Sequence, residues 1–88
     1  MDEVETRRKR LLYQSAHRGT KESDLLLGAF AAAHLDGLTP AQLDRYEALL
    51  DENDRDIFDW ISKRAPPPAK AQSDVLTLLL NFRYPGAV

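Results

Sequence analysis

The sequence contains no cysteine, which excludes disulfides, thiolate metal ligands and a thiol nucleophile and fits a reducing compartment. No apolar run approaches the roughly 18 to 20 residues that span a bilayer, so membrane insertion is not expected. Segments of alternating apolar and polar residues are missing, as is any repeat of about 20 to 50 residues, and sheets and solenoids are set aside. Positive charge is not in excess either. Lys and Arg number 12 against 14 Asp and Glu, a formal net charge of −2, so no net field favours capture of nucleic acid. His17 and His34 lie roughly a helix apart, and the carboxylates lack an H-E-x-x-H spacing, so no metal is expected. There is no G-x-S-x-G and no phosphate-cradling glycine loop, and a small bundle leaves little room for a reaction pocket. The chain is not expected to be an enzyme. The start, Met1-Asp2-Glu3-Val4-Glu5, is acidic where a signal or transit peptide is basic, and a cytoplasmic location is the expectation.

What the 88 residues do contain is helical periodicity. The expected fold is all-α, a single-domain bundle of about five helices over residues 1–88 with its core at about 5–83. The first helix is expected from Asp2 to His17, with positions 4, 8, 11, 12 and 15 on its inner face. Arg10, Tyr13, Gln14 and His17 form a polar ridge on the same helix. Thr20 caps a second helix that runs to about Asp36 and ends at Gly37. Leu25, Leu26, Leu27, Ala29, Phe30, Ala31, Ala32 and Ala33 leave that helix so little polar surface that it is expected at the centre, covered on most sides.

Thr39, Pro40 and Gln42 form a capping box, with Leu38 and Leu43 as its hydrophobic staple, and start a third helix that reaches about Asp51. Asn53 or Asp54 caps a short fourth helix carrying Ile57, Phe58, Trp60 and Ile61, with Trp60 as a core anchor. The prolines of 65–69 make an extended connector. A fifth helix spans about Ser73 to Arg83, Pro85 stops it, and 84–88 form a flexible tail.

The candidate site is the turn His17-Arg18-Gly19-Thr20-Lys21-Glu22. Gly19 supplies the left-handed conformation that closes the first helix. Geometry does not demand that the same turn carry an imidazole, a guanidinium, an ammonium and a carboxylate. Taken singly, His17 is a helix-end cation and Glu22 a first-turn acid, while Asp54 and Asp56 are more readily helix-start acids than ligand contacts. Arg7-Arg8-Lys9-Arg10 spreads around a helix and reads mainly as a solvated end. Together the turn residues suggest a surface for another polypeptide.

Arg7 to Tyr13, Ser15, the turn 17–22, Asp24-Leu25-Leu26-Leu27-Gly28 and Phe30 resemble the signature of the succinate dehydrogenase assembly factors that promote covalent flavin attachment. Tyr46-Glu47, Leu49-Leu50 and Asp54 to Ile61 are similar to that family's second block, so the resemblance covers roughly residues 7 to 61. The R-G-x-x-E core is followed by D-x-D-x-x-x-W. Gln14 departs from a frequent basic residue, and Ala16 from a bulky aromatic.

The resemblance implies a chaperone-like monomer that binds the flavoprotein subunit of succinate dehydrogenase, or of fumarate reductase in bacteria. It further implies that FAD belongs to the client, whose own histidine attacks the flavin, and that the factor binds no cofactor itself. By position, Arg18, Gly19 and Glu22 carry the central contact, with Arg10, His17, Thr20, Lys21, Asp54 and Asp56 as the remaining candidates for partner binding. A generic helical adaptor without a flavin-related client is the alternative.

Overall fold

Four side chains that each accept a backbone N–H decide where the last four helices begin. Thr20 Oγ1 takes the Ser23 amide at 3.3 Å, Thr39 Oγ1 the Gln42 amide at 3.2 Å, Asn53 Oδ1 the Arg55 amide at 2.8 Å and Ser73 Oγ the Leu76 amide at 3.0 Å. The Gln42 side chain reciprocates, its Oε1 accepting the Thr39 amide at 3.0 Å, which completes the capping box. In a computed structural model describing residues 3–82, the helices are α1 (Glu3–Ala16), α2 (Lys21–His34), α3 (Pro40–Leu50), α4 (Asp54–Ile61) and α5 (Asp74–Asn81). Short 3-10 turns, Leu35–Gly37 and Ala69–Ala71, follow α2 and precede α5. No strand occurs among the described residues. Arg83, Pro85 and the tail 84–88 lie outside them.

α1 and α2 form an antiparallel pair, α3 packs on α1 and α5, and α4 leans on α5. The core gathers Leu11 from α1, Leu27, Phe30 and Ala31 from α2, and Leu43 and Tyr46 from α3. Ile57 and Trp60 join from α4, and Val75, Leu76 and Leu79 from α5. Phe30 sits amid aromatic neighbours, with ring centroids 5.7 Å from Tyr46 and 5.5 Å from Phe82. Where α1 and α2 converge, a Cβ on Gly28 would stand 3.2 Å from the Ala16 Cβ, so the small residues there set the spacing.

Ser15 is the fully buried polar group of α1. Its hydroxyl donates to the Leu11 carbonyl at 2.7 Å, which leaves its oxygen to accept from the Tyr46 hydroxyl at 2.5 Å. Burial pushes the Tyr46 phenol up to about 12, only partly offset by the Ser15 hydroxyl and the charge of Arg18. Between α3 and α5, Arg45 grips Asp74 through Nε at 2.8 Å and holds that carboxyl down at about 2, with Gln42 assisting at 3.0 Å.

The structure corrects three expectations. α2 is not covered on most sides: Leu25, Ala32 and Ala33 are exposed, because only the face bearing Ser23, Leu27, Phe30 and Ala31 meets neighbours. Leu12 likewise sits off the inner face of α1 and is exposed. The end of α2 passes into the 3-10 turn Leu35–Gly37, so the helical stretch stops at Gly37 as expected, without a left-handed residue there, since Gly19 and Lys63 are the positive-φ positions among the described residues. Arg8 spans the chain just past that end, its Nε reaching Leu35 O at 2.9 Å, which also accepts the Leu38 amide, and its Nη2 reaching Leu38 O at 2.8 Å. Arg7 meanwhile bonds Asp44 at 2.6 Å and Glu47 at 3.0 Å, so the basic run is largely engaged rather than a solvated end.

Candidate functional site: the corner between α1 and α2

α1 stops because the chain turns at Gly19, whose φ of +115° lies in the region that disfavours side chains. A Cβ built at Gly19 meets nothing within 4 Å, so the glycine answers to backbone conformation and leaves open space around the corner. The turn is fastened from within. One carboxylate oxygen of Asp24, on the first turn of α2, accepts the Arg18 amide at 2.5 Å and the Gly19 amide at 3.2 Å. Nothing local in the sequence says that Asp24 reaches back across the turn.

Arg18 points inward. Its Nε bonds the Asp54 carboxylate, its Nη1 donates to Leu50 O at 2.7 Å and its Nη2 donates to Glu52 O at 2.9 Å. The side chain is only 13% exposed. A display of guanidinium donors at the surface is thereby corrected: each of the three nitrogens already has an acceptor in this chain. Leu50 O is the last carbonyl of α3, where the helix dipole is negative and a cation is favoured, and Glu52 O lies two residues beyond it. Asp54, expected as a partner contact or a capping acid, is the carboxylate that pairs with Arg18, while Asn53 does the capping.

The residues the corner presents outward are Gly19, Thr20, Lys21 and Glu22, all exposed. Thr20 spends its hydroxyl oxygen on the cap of α2. The Glu22 carboxylate and the Lys21 ammonium have no hydrogen-bond or ion-pair partner among the described residues. Exposed Leu25 follows Glu22 one turn along the same face of α2. His17 stacks on Tyr13 with ring centroids 4.0 Å apart and bonds Tyr13 O through Nδ1 at 2.8 Å, so Nε2 is its free ring nitrogen. Arg10 lies farther up α1, tied to Glu47 at 2.9 Å, and Asp56 is exposed on α4. Of the candidate residues, the structure thus brings together residues 17–22 and Asp54, but not Arg10.

Two open grooves flank the corner. One, of about 470 Å³, runs between the start of α2 and α4, with Glu22, Asp54, Arg55, Phe58 and Arg64 along it. The other, of about 440 Å³, lies between α1 and α3 beside Tyr13, His17 and Asp51. Both are lined by charge of both signs, which suits a polar protein surface with apolar patches. No group of three or more His, Asp or Glu suited to a metal ion occurs among the described residues, and no helix there is long and apolar enough to cross a membrane.

The comparisons with known proteins bear on this corner. Residues 9–83 match the family described as flavinator of succinate dehydrogenase. A succinate dehydrogenase assembly factor 2, mitochondrial, from Dictyostelium discoideum is 48% identical over 79 residues, covering 90% of this chain and 56% of that protein. Its namesake from Meyerozyma guilliermondii is 49% identical over 79 residues, 85% of this chain and 58% of that protein. An assembly factor 2-B, mitochondrial, from Drosophila persimilis is 42% identical over 78 residues, 86% and 50% of the two chains. The chain spans just over half the length of the first two. The cytoplasmic expectation is overturned, since these relatives are named as mitochondrial. With the match extending from the middle of α1 to just beyond α5, the chain belongs to the flavinator family of succinate dehydrogenase assembly factors.

Proposed function

We propose that this chain docks on the flavoprotein subunit of succinate dehydrogenase through the Gly19–Glu22 corner and promotes covalent attachment of FAD to it. The observation that carries the reading is Glu22, an unpartnered carboxylate on an exposed turn, beside open space at Gly19 and exposed Leu25, in a chain of the flavinator family. A carboxylate presented this way makes charge-assisted hydrogen bonds to a partner's cation or amides, and the adjacent apolar surface adds burial.

The role is that of a chaperone, not a catalyst. The client's own histidine supplies the nucleophile, and FAD belongs to the client. The open, charge-lined grooves beside the corner favour this division, since a flavin ring is ordinarily held in an enclosed and mostly apolar slot. Binding then acts by population: the factor raises the attachment-competent conformation of the client by the ratio of its affinities for the two conformations.

The test is reconstitution of the apo flavoprotein with FAD, with and without this chain, read as in-gel flavin fluorescence after denaturation. The chain is expected to raise the covalent yield, and Glu22→Lys to abolish the gain with the bundle intact. Equal yield with and without the chain refutes the reading. Capture of unrelated proteins with no effect on flavin attachment would favour the generic adaptor.

A further inference from the structure

Arg18 and Glu22 are the two charged members of R-G-x-x-E, yet the structure treats them oppositely. Glu22 is exposed and unpaired, whereas Arg18 is turned under the corner. Its three nitrogens meet the Asp54 carboxylate and the Leu50 and Glu52 carbonyls, all from the α3–α4 junction. On the other side of the same turn, Asp24 binds the amides of Arg18 and Gly19 from within α2. The residues in between are therefore held at both ends. Lys cannot replace this fork, because a single ammonium cannot reproduce the planar geometry that serves all three acceptors.

We infer that Arg18 is a positioning residue: clamped by Asp54 and the end of α3, it fixes the Gly19–Glu22 corner for docking and does not itself touch the partner. The inference rests on the docking reading above and says which half of the motif meets the client. It also joins the two sequence blocks physically, since Asp54 opens D-x-D-x-x-x-W. A corner ordered before binding loses less backbone freedom on docking. With the clamp released, affinity for the client is expected to fall roughly tenfold or more, the equivalent of ordering one or two residues anew.

Three measurements test this on the full chain. In the free protein, a dicarbonyl reagent read by peptide mass spectrometry is expected to modify exposed Arg55 and Arg64 quickly and Arg18 slowly. Addition of purified flavoprotein should leave the Arg18 rate unchanged. Fast modification of Arg18, or its protection by the client, overturns the inference.

Second, Arg18→Met, Asp54→Asn and Asp24→Asn are compared at a temperature where far-UV circular dichroism shows each fully folded. Each is expected to weaken client binding, and Arg18→Met with Asp54→Asn to be no worse than the poorer single variant. Were Arg18 a contact, Asp54→Asn would free its guanidinium and leave binding intact or tighter.

Third, hydrogen exchange at amides 18–22 is expected to speed up in free Arg18→Met, Arg18→Lys and Asp24→Asn. Unchanged exchange refutes the clamp without reference to any client. Failure of the wild-type chain to bind the flavoprotein would instead sink the docking reading, and the exchange result keeps the two distinguishable.

Discussion

Gly19 offers the sharpest separation of folding from docking. Its φ of +115° costs a side-chain-bearing residue about 1–3 kcal/mol of backbone strain. Reduced freedom of the unfolded chain returns about 0.4–1 kcal/mol, for a net loss of about 1–2 kcal/mol. No packing penalty adds to this, because a Cβ there has nothing within 4 Å, and the amide bond to Asp24 survives substitution. Gly19→Ala and Gly19→Arg should therefore lose nearly the same stability, since the strain comes from the backbone and the Cβ that both share, and that Cβ faces open space. For a domain of this size a loss of about 1–2 kcal/mol lowers Tm by about 5–15 °C. Urea titrations followed by circular dichroism and Trp60 fluorescence measure the loss, and flavoprotein binding is measured where both variants are folded. Binding should fall far more for Arg than for Ala, as only the longer side chain obstructs the corner. Wild-type stability for Gly19→Ala would refute the backbone argument, and a loss for Arg several kcal/mol beyond that for Ala would refute the open corner.

Two further outcomes follow from the fold. Tyr46 keeps its proton to about 12 when folded but releases it near the ordinary phenol value of about 10 when unfolded. Its stabilising effect is intact below pH about 10 and is lost as pH rises through about 12, a change of roughly 3 kcal/mol. Urea midpoints should fall more steeply between pH 10 and pH 12 in wild type than in Tyr46→Phe, and parallel curves would contradict the assignment. Lys63 holds a left-handed φ of 65° just past α4, where the Arg64 amide bonds Asp59 O at 2.9 Å and the Lys63 amide bonds Trp60 O at 3.2 Å. Lys63→Gly should raise Tm by a few degrees in a calorimetric scan; a lower Tm would show that the lysine side chain contributes there.

Local chemistry made much of this fold legible. The box at Thr39 and Gln42, the start of α5 near Ser73, the turn at Gly19 and the core position of Trp60 depend on neighbours in sequence, and each lies where the pattern put it. What could not be read were bonds spanning thirty or more residues. Arg18 to Asp54, Arg8 to Leu38 and Arg7 to Glu47 link residues whose proximity exists only after α1, α2 and α3 have packed. The same limit explains α2: its alanines are compatible with burial and with exposure, and only the number of neighbouring helices decides. At the candidate site, the identity of the turn was local information, while the direction of Arg18 was not.

The cations of residues 7–10 fan out to three destinations. Arg7 and Arg10 go to Glu47, Arg8 goes to the closing carbonyls beyond α2, and Lys9 is left to solvent. To a polyanion arriving from outside, this stretch is less basic than its letters suggest, because Arg7 and Arg10 are paired with Glu47 and Arg8 is turned toward backbone carbonyls. Arg7 and Arg10 behave as rivets between α1 and α3, Arg8 fastens α1 to the turn after α2, and Lys9 remains a plain surface charge.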